Sequence, residues 1–504
     1  MKITSTVNLC LLALAITLVP ACKRAHVAQN GVLNVAVQSS PATLDPRAAT
    51  DAEGDKICQL IFDGLLARDD DMELAPGLAE NYEQISDTSY RFFLRRGVVF
   101  HSGSPFTAKD VVYTYGSMVD GTVASPFKEP FSVIKEVVAE DDFTVRIDLK
   151  GPSASFLSML TKGIVSSVDA KRLGSRFGRQ PAGTGPYSLA KFEADKLLEL
   201  KANGNYFGKI PKIETLRLYV VSDDNIRVLK LIKGDVDLVQ NGIPALVLPK
   251  VLENKNLEME EGDGIVVTYL GMNLTDKILK DKRVRQAIAY AIDRDEIISH
   301  RFGGQATKAN SILSPMNWAY DGDLAQHEYD PERAKALLNE AGLKRVALSY
   351  KTSTIKERVD LARMIAHQLS KVGISVKVLP YEWGTFYRDV KTGNFQLYSL
   401  SWVGVTEPDI FFDICHSSRF PPNGLNRDRY KNEEVDKLVS RARVTMDKDA
   451  RKDLYGAVQK ILFDELPFIP LWYEKNVVVY RKSLDGVSVR PDASYLTFVD
   501  ISKE

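Results

Sequence analysis

The chain has 504 residues, more than the about 250–300 that one hydrophobic core usually serves, so at least two lobes are expected. Hydrophobic residues at 44% and charged residues at 26% fit an ordinary globular protein. Lys+Arg and Asp+Glu are both 66, which leaves no basic excess for nucleic acid and no acidic solvating tail.

At the N-terminus Lys2 is followed by an apolar run from Leu9 to Val19 and then Pro20-Ala21-Cys22. A charged start, a short apolar core and a small residue before a cleavage point make a secretory signal. The run is shorter than the about 20 residues of a membrane-spanning helix. Val19 to Cys22 resembles a bacterial lipobox, so we expect residues 1–21 to be a signal peptide, Cys22 to be lipidated, and 22–30 to be a polar tether. A plain signal peptide with an incidental Cys is the alternative. Cys58 and Cys415 are the other cysteines of the mature chain, and two separate buried thiols are expected over a bridge.

Val32 to Val37 alternates and reads as an opening strand, as do Tyr90 to Leu94 and Phe143 to Leu149. Thr107 is placed to cap a helix over Val111 to Met118 by accepting from a first-turn N–H. Asp330-Pro331-Glu332 opens another helix, with Ala334, Leu337, Leu338 and Ala341 as its apolar face and Gly342 as its stop. Val346 to Tyr350 then reads as a strand, Glu357 to Val372 as a helix ended by Gly373, and Ile374 to Val378 as a strand. That order with short links predicts a parallel βαβ unit. Helices over 432–443 and 449–463 follow. No repeat and no low-complexity stretch is present, so the class is mixed α/β.

Catalytic and metal signatures are missing. There is no HExxH, GxSxG or GxxxxGK[ST], and Gly183-Thr184-Gly185 lacks the Lys of a phosphate loop. No two of the six His stand at i, i+4, and Asp69-Asp70-Asp71 lacks the Gly and Glu of a calcium loop. No enzyme, metal or cofactor is therefore expected.

Several segments in order resemble the family 5 extracellular solute-binding proteins, the peptide- and nickel-binding components of ABC importers. They are Leu44-Asp45-Pro46, Phe62-Asp63-Gly64-Leu65-Leu66, Pro76-Gly77-Leu78-Ala79-Glu80, the stretch from Tyr90 to Val111, Gly183-Thr184-Gly185-Pro186-Tyr187, Arg283-Val284-Arg285-Gln286-Ala287 with Ala291-Ile292-Asp293-Arg294, and Tyr329-Asp330-Pro331. The resemblance implies a two-lobed periplasmic-binding-protein fold, α/β, with an extra subdomain and a ligand cleft between the lobes. It puts lobe I at 31–61, 181–264 and 479–504, the subdomain at 62–180, and lobe II at 265–478. It further implies a monomeric lipoprotein of the cell envelope that captures di- or oligopeptides for the permease subunits of an ABC transporter. A ligand-sensing or scaffold lipoprotein of the same fold, or a binder of a non-peptide solute, are the alternatives.

In peptide-binding members the ligand backbone pairs with strand edges in both lobes. The resemblance places Thr50, Asp51 and Ala52 on one edge and Ser401, Trp402, Val403 and Gly404 on the other. Tyr269 falls on one crossing segment, and Trp472 and Tyr473 near the second. Each large aromatic here has core packing as its alternative role, and Asp51 a turn. Such binders carry an Asp soon after the Trp, paired with the peptide ammonium. Here Val405 stands at that position, in a loop one residue short. Glu407 takes over, water fills the gap, or the ligand carries no cation there.

Overall fold

The computed structural model describes residues 31–504. The expected signal peptide, Cys22 and the tether lie outside the described residues. The opening strand β1 (Val32–Val37) buries Leu33 and Val35 completely. It is followed by α1 (Ala52–Ile61). β1 pairs in parallel with β2 (Thr215–Val220) and with β3 (Leu238–Gln240). The long β4 (Leu257–Met272) leaves this half of the molecule and enters the other.

There β5 (Val346–Ser353), α2 (Lys356–Ser370) and β6 (Ile374–Tyr381) form the expected parallel βαβ unit, in register from Val346↔Ile374 to Ser353↔Tyr381. Asp330 caps the preceding helix by accepting from the Arg333 N–H at 2.8 Å. Gly342 and Gly373 take the left-handed conformation (φ +73° and +90°) that ends each helix before a strand. After β6 come α3 (Trp383–Thr392) and β7 (Leu397–Trp402). Finally β8 (Phe468–Arg481) returns the chain to the first half.

These strands join in one 11-stranded sheet whose order is β6-β5-β7-β4-β8-β3-β1-β2, extended by Leu197–Ala202 and Tyr187–Glu193, with the short strand Ala306–Lys308 pairing with β8 off this path. β4 and β8 pair antiparallel through both halves, from Leu257↔Arg481 to Gly271↔Phe468. Their register breaks between Gly262 and Val266. A Cβ on Gly264 would lie 2.2 Å from the Glu474 carbonyl oxygen, so only glycine lets the strands pass there. We call the β1 side lobe I and the β5 side lobe II. Lobe II buries one apolar cluster on each face of its sheet: Leu270, Leu348, Leu397 and Trp472 on one, Tyr269, Tyr398, Phe468 and Tyr473 on the other. The main core of lobe I also takes in Val165, Ala170, Leu173 and Phe177.

A separate four-stranded antiparallel sheet (Ala79–Ser86, Ser89–Leu94, Thr144–Leu149, Ile134–Asp141, in that order) stands beside lobe I. Its buried Tyr90, Phe92, Val145 and Ile147 pack with Val111, Tyr115 and Met118 of the helix Ala108–Val119. Thr107 is the N-cap of that helix, as expected, and forms a capping box with Asp110. Its backbone N–H donates to the Asp110 carboxylate at 3.0 Å, its hydroxyl lies 3.3 Å from the same oxygen, and the Asp110 N–H donates to the Thr107 carbonyl at 3.0 Å.

The Gly183 to Tyr187 segment fastens this subdomain to lobe I. A Cβ on Gly183 would sit 1.9 Å from the Ile61 carbonyl oxygen and one on Gly185 2.5 Å from that of Leu60, so the two glycines let the backbone lie against the end of α1. Thr184 and Tyr206 donate hydroxyl hydrogens to Asp63 at 2.7 and 2.9 Å. Burial still pushes the Asp63 carboxyl up to about 6. Cys58 and Cys415 are buried, separate thiols, as expected.

Candidate functional site

Strand direction locates the site. β3 runs antiparallel to β8 with Gln240 opposite Val478, so the carboxyl ends of the parallel strands in lobe I point toward lobe II. β7 runs antiparallel to β4 with Trp402 opposite Val267, so the carboxyl ends of β5, β6 and β7 point back toward lobe I. Open parallel sheets bind ligands beyond these ends, where no helix covers the chain. Two such edges face each other here across the break in β4 and β8. A small pocket opens beside that break, lined by Met72, Ile265, Trp318, Val405 and Thr406 among others. A second pocket lies inside lobe II among Ile312, Phe411, Leu462 and Phe463. Its Arg294 is held by the carbonyls of Ala309 and His327, at 2.6 and 2.7 Å, and it does not reach the strand ends.

Trp402 is the last residue of β7 and is half-buried. Its ring stacks on Tyr269, centres 5.9 Å apart and planes 7° apart. The Arg427 guanidinium lies 4.5 Å from the Trp402 ring centre and 5.6 Å from that of Tyr387. It donates to the hydroxyls of Tyr269 and Tyr387 at 3.0 and 3.4 Å. Tyr387 stacks in turn on Trp383, which is 50% exposed at the start of α3. Beyond Trp402 the chain leaves the ladder: Val403 is 65% exposed and Gly404 turns with φ +70°. Ser401 looks to the other face, where its hydroxyl meets that of Thr268 at 2.8 Å, and Thr268 lies 3.1 Å from the Glu474 carboxylate.

The other sequence-derived residues have plainer places. Asp51 caps α1, accepting from the Gly54 N–H at 2.7 Å, and ties in the Ala42 N–H at 3.2 Å. Thr50 and Ala52 flank it, exposed. Tyr473 is buried in lobe II, with its hydroxyl donating to the carbonyls of Ser311 and Leu313 (2.9 and 2.7 Å). Trp472 is fully buried against Phe302. Sequence reading missed Arg427, Tyr387 and Trp383. The i, i+4 spacing of Trp383 and Tyr387 after a strand was a usable signal; a loop arginine gave none.

Val405 turns inward and is buried in the lobe II core. Glu407 is occupied: its carboxylate accepts from Arg451 at 2.5 Å and from the Ser158 hydroxyl at 2.9 Å. Ser158 belongs to the subdomain, so this bond crosses between the two bodies. Beside it Ser155 donates to Asp409 at 3.3 Å, Arg443 donates to Asp409 at 3.1 Å, and the Ala154 N–H donates to the Arg443 carbonyl at 2.8 Å. Burial raises the Asp409 carboxyl while Arg443 lowers it. The ion pairs Lys448–Glu73 (2.9 Å) and Arg419–Glu129 (3.2 Å) complete the contact. Among the described residues no group of His, Cys, Asp and Glu is placed to hold a metal ion, and no helix is long and apolar enough to cross a membrane.

The chain matches known proteins along nearly its whole described length. The model of bacterial extracellular solute-binding proteins, family 5 (middle region), fits residues 73–419. A dipeptide-binding protein of Escherichia coli K12 is 30% identical over 452 residues, covering 83% of this chain and 84% of its own. A periplasmic binding protein from Helicobacter pylori, solved with the peptide STSA, superposes with a TM-score of 0.81 at 26% identity, covering 94% of this chain and 98% of that one. A Campylobacter jejuni protein solved with Ni(L-His) does so at 0.82 and 27%, covering 94% and 100%.

The serines of the subdomain are the least intrusive place to test the contact. Replacing Ser155 and Ser158 with Ala removes two bonds to partly buried carboxylates, each worth about 2 kcal/mol, and leaves both bodies intact. The ligand-free double variant is expected to show a larger radius of gyration by small-angle scattering with an unchanged circular dichroism spectrum. An unchanged radius would show that these bonds do not hold the bodies together.

Proposed function

The chain belongs to the bacterial extracellular solute-binding proteins of family 5 and is a binding protein, not an enzyme; from that premise we propose that it captures small peptides in the cell envelope and delivers them to the permease subunits of an ABC importer. The observation that carries this reading is the pair of parallel-sheet edges facing each other across one hinge. On lobe II the chain leaves the ladder after Trp402 at the exposed Val403 and Gly404, beside the Trp402 ring. An extended peptide can add to such an end through main-chain bonds, with side chains pointing alternately into open space. The peptide-binding names among its relatives support the same ligand class. A non-peptide solute is the second reading, favoured by one feature: Val405 and the occupied Glu407 leave no free acid for a peptide ammonium.

Closure follows from the arrangement. A ligand bridging both edges binds the closed form better and draws the lobes together by that difference in affinity. We further propose that Cys22 carries lipid and holds the monomer at a membrane, within reach of its permease.

Mass spectrometry of the solute released on denaturing the purified protein tests the ligand class. Peptides of two or more residues are expected, and calorimetry with the same peptides should give a dissociation constant of about 1 μM or tighter, about −8 kcal/mol. A released solute without amide-linked amino acids would overturn the peptide reading. For the anchor, Cys22→Ser should move the protein from the membrane fraction to the soluble envelope fraction; a variant that stays with the membrane contradicts lipidation at Cys22.

A further inference from the structure

The acids in the loops beside the lobe II edge are already engaged. Glu382 caps α3, accepting from the N–H groups of Gly384 and Thr385. Glu407 and Asp409 hold Arg451 and Arg443. The Glu474 carboxylate meets the Thr268 hydroxyl.

Arg427 is the opposite. It is 7% exposed, and its two side-chain hydrogen bonds go to neutral phenols, those of Tyr269 and Tyr387. No carboxylate among the described residues forms an ion pair with it. Its neighbour Asp428 accepts from the Met272 N–H at 3.0 Å and makes no hydrogen bond with Arg427, and burial pushes that carboxyl up to about 7. Stacking on Trp402 and Tyr387 offsets part of the desolvation. The remaining N–H donors of the fork make no hydrogen bond to the protein and are not sealed from solvent. The loop that holds Arg427 is fixed in place. Asn426, fully buried, donates to the carbonyls of Cys415, His416 and Tyr430 and accepts the Tyr430 N–H. The guanidinium is thus preorganised and lies beside Trp402, at the edge where β7 ends.

We propose that Arg427 is the ligand anchor of lobe II and receives a carboxylate of the bound solute through the free donors of its fork. The anchored end of the ligand is then its anion, the reverse of an ammonium held by an acid at position 405. A planar guanidinium suits two parallel bonds to a carboxylate. The rings of Trp402 and Tyr387 lie against the guanidinium and hold its plane. This inference rests on the cleft being the transport site proposed above.

The test offers three probes to the full mature chain and to Arg427→Gln and Arg427→Lys. One is a pool of tripeptides without acidic side chains, the second the same pool as C-terminal amides, the third a pool of non-peptide organic acids that includes succinate. Affinities are read by calorimetry and native mass spectrometry. The natural protein is expected to prefer free acids over amides by about 30-fold, about 2 kcal/mol. Arg427→Gln should reduce that ratio to within about threefold, and Arg427→Lys should fall between. If Arg427→Gln does not fold, Arg427→Lys decides: a loss of about tenfold for the acids with the amides unchanged supports the anchor, and no selective loss overturns it. Equal binding of acids and amides by the natural protein overturns the anchor and leaves the peptide reading standing. A preference that survives in Arg427→Gln also overturns it. Binding of organic acids alone, lost in Arg427→Gln, keeps the anchor and overturns the peptide reading. Binding of no probe overturns both.

Discussion

The antiparallel pairing of β4 with β8 is the constraint on which the rest of the molecule depends. The two strands run through both lobes, and every other strand of the large sheet takes its direction from them. Because β3 and β7 are each antiparallel to their partner in this pair, the carboxyl ends of both parallel sets must point inward. The cleft is therefore a consequence of strand direction, before any side chain is considered. A one-residue slip in this pairing would turn Tyr269 and Trp472 to the wrong faces of the lobe II sheet. The wider of its two register shifts, at residues 263–265, sits between the lobes and needs Gly264 for the strands to pass. Bending concentrates where the ladder is already broken.

Elsewhere the two bodies meet through bonds of modest strength. Glu407 with Ser158 and Asp409 with Ser155 are hydroxyl-to-carboxylate contacts, and Lys448–Glu73 is half exposed. Such an interface can open without disturbing either core, as contacts between moving domains must. It also explains why Glu407 is not free to bind a ligand. Its charge is spent on Arg451, a side chain that is itself 6% exposed.

Much of the fold was legible from periodicity and caps. The βαβ unit from Val346 to Val378 was set out by alternation, a helical stripe and Gly373, all local signals. The motifs that carried the family resemblance report a different thing. Asp63, Gly183, Thr184 and Gly185 form the joint between subdomain and lobe I rather than the ligand site. The site itself was legible only in part. Trp402 ends β7, whereas the carbonyl partners of Tyr473 and the Ser158 partner of Glu407 are 160 or more and 249 positions away in sequence. Neither period nor spacing reveals such distant bonds. Arg427 was hidden for a related reason: its neighbours Tyr269, Tyr387 and Trp402 come from three separate elements, and its own loop has no period.

A distance across the cleft tests the hinge most directly. Ile226 in lobe I and Ile355 in lobe II are 48% and 53% exposed, each just beyond the carboxyl end of a parallel strand. Cysteines introduced there can carry spin labels, because Cys58 and Cys415 are buried and burial holds both thiols in their unreactive, protonated form. The account predicts a broad distance distribution without ligand that becomes narrower and shorter at saturation. An unchanged distribution, with binding to the labelled protein proven by calorimetry, would contradict closure about the β4–β8 break.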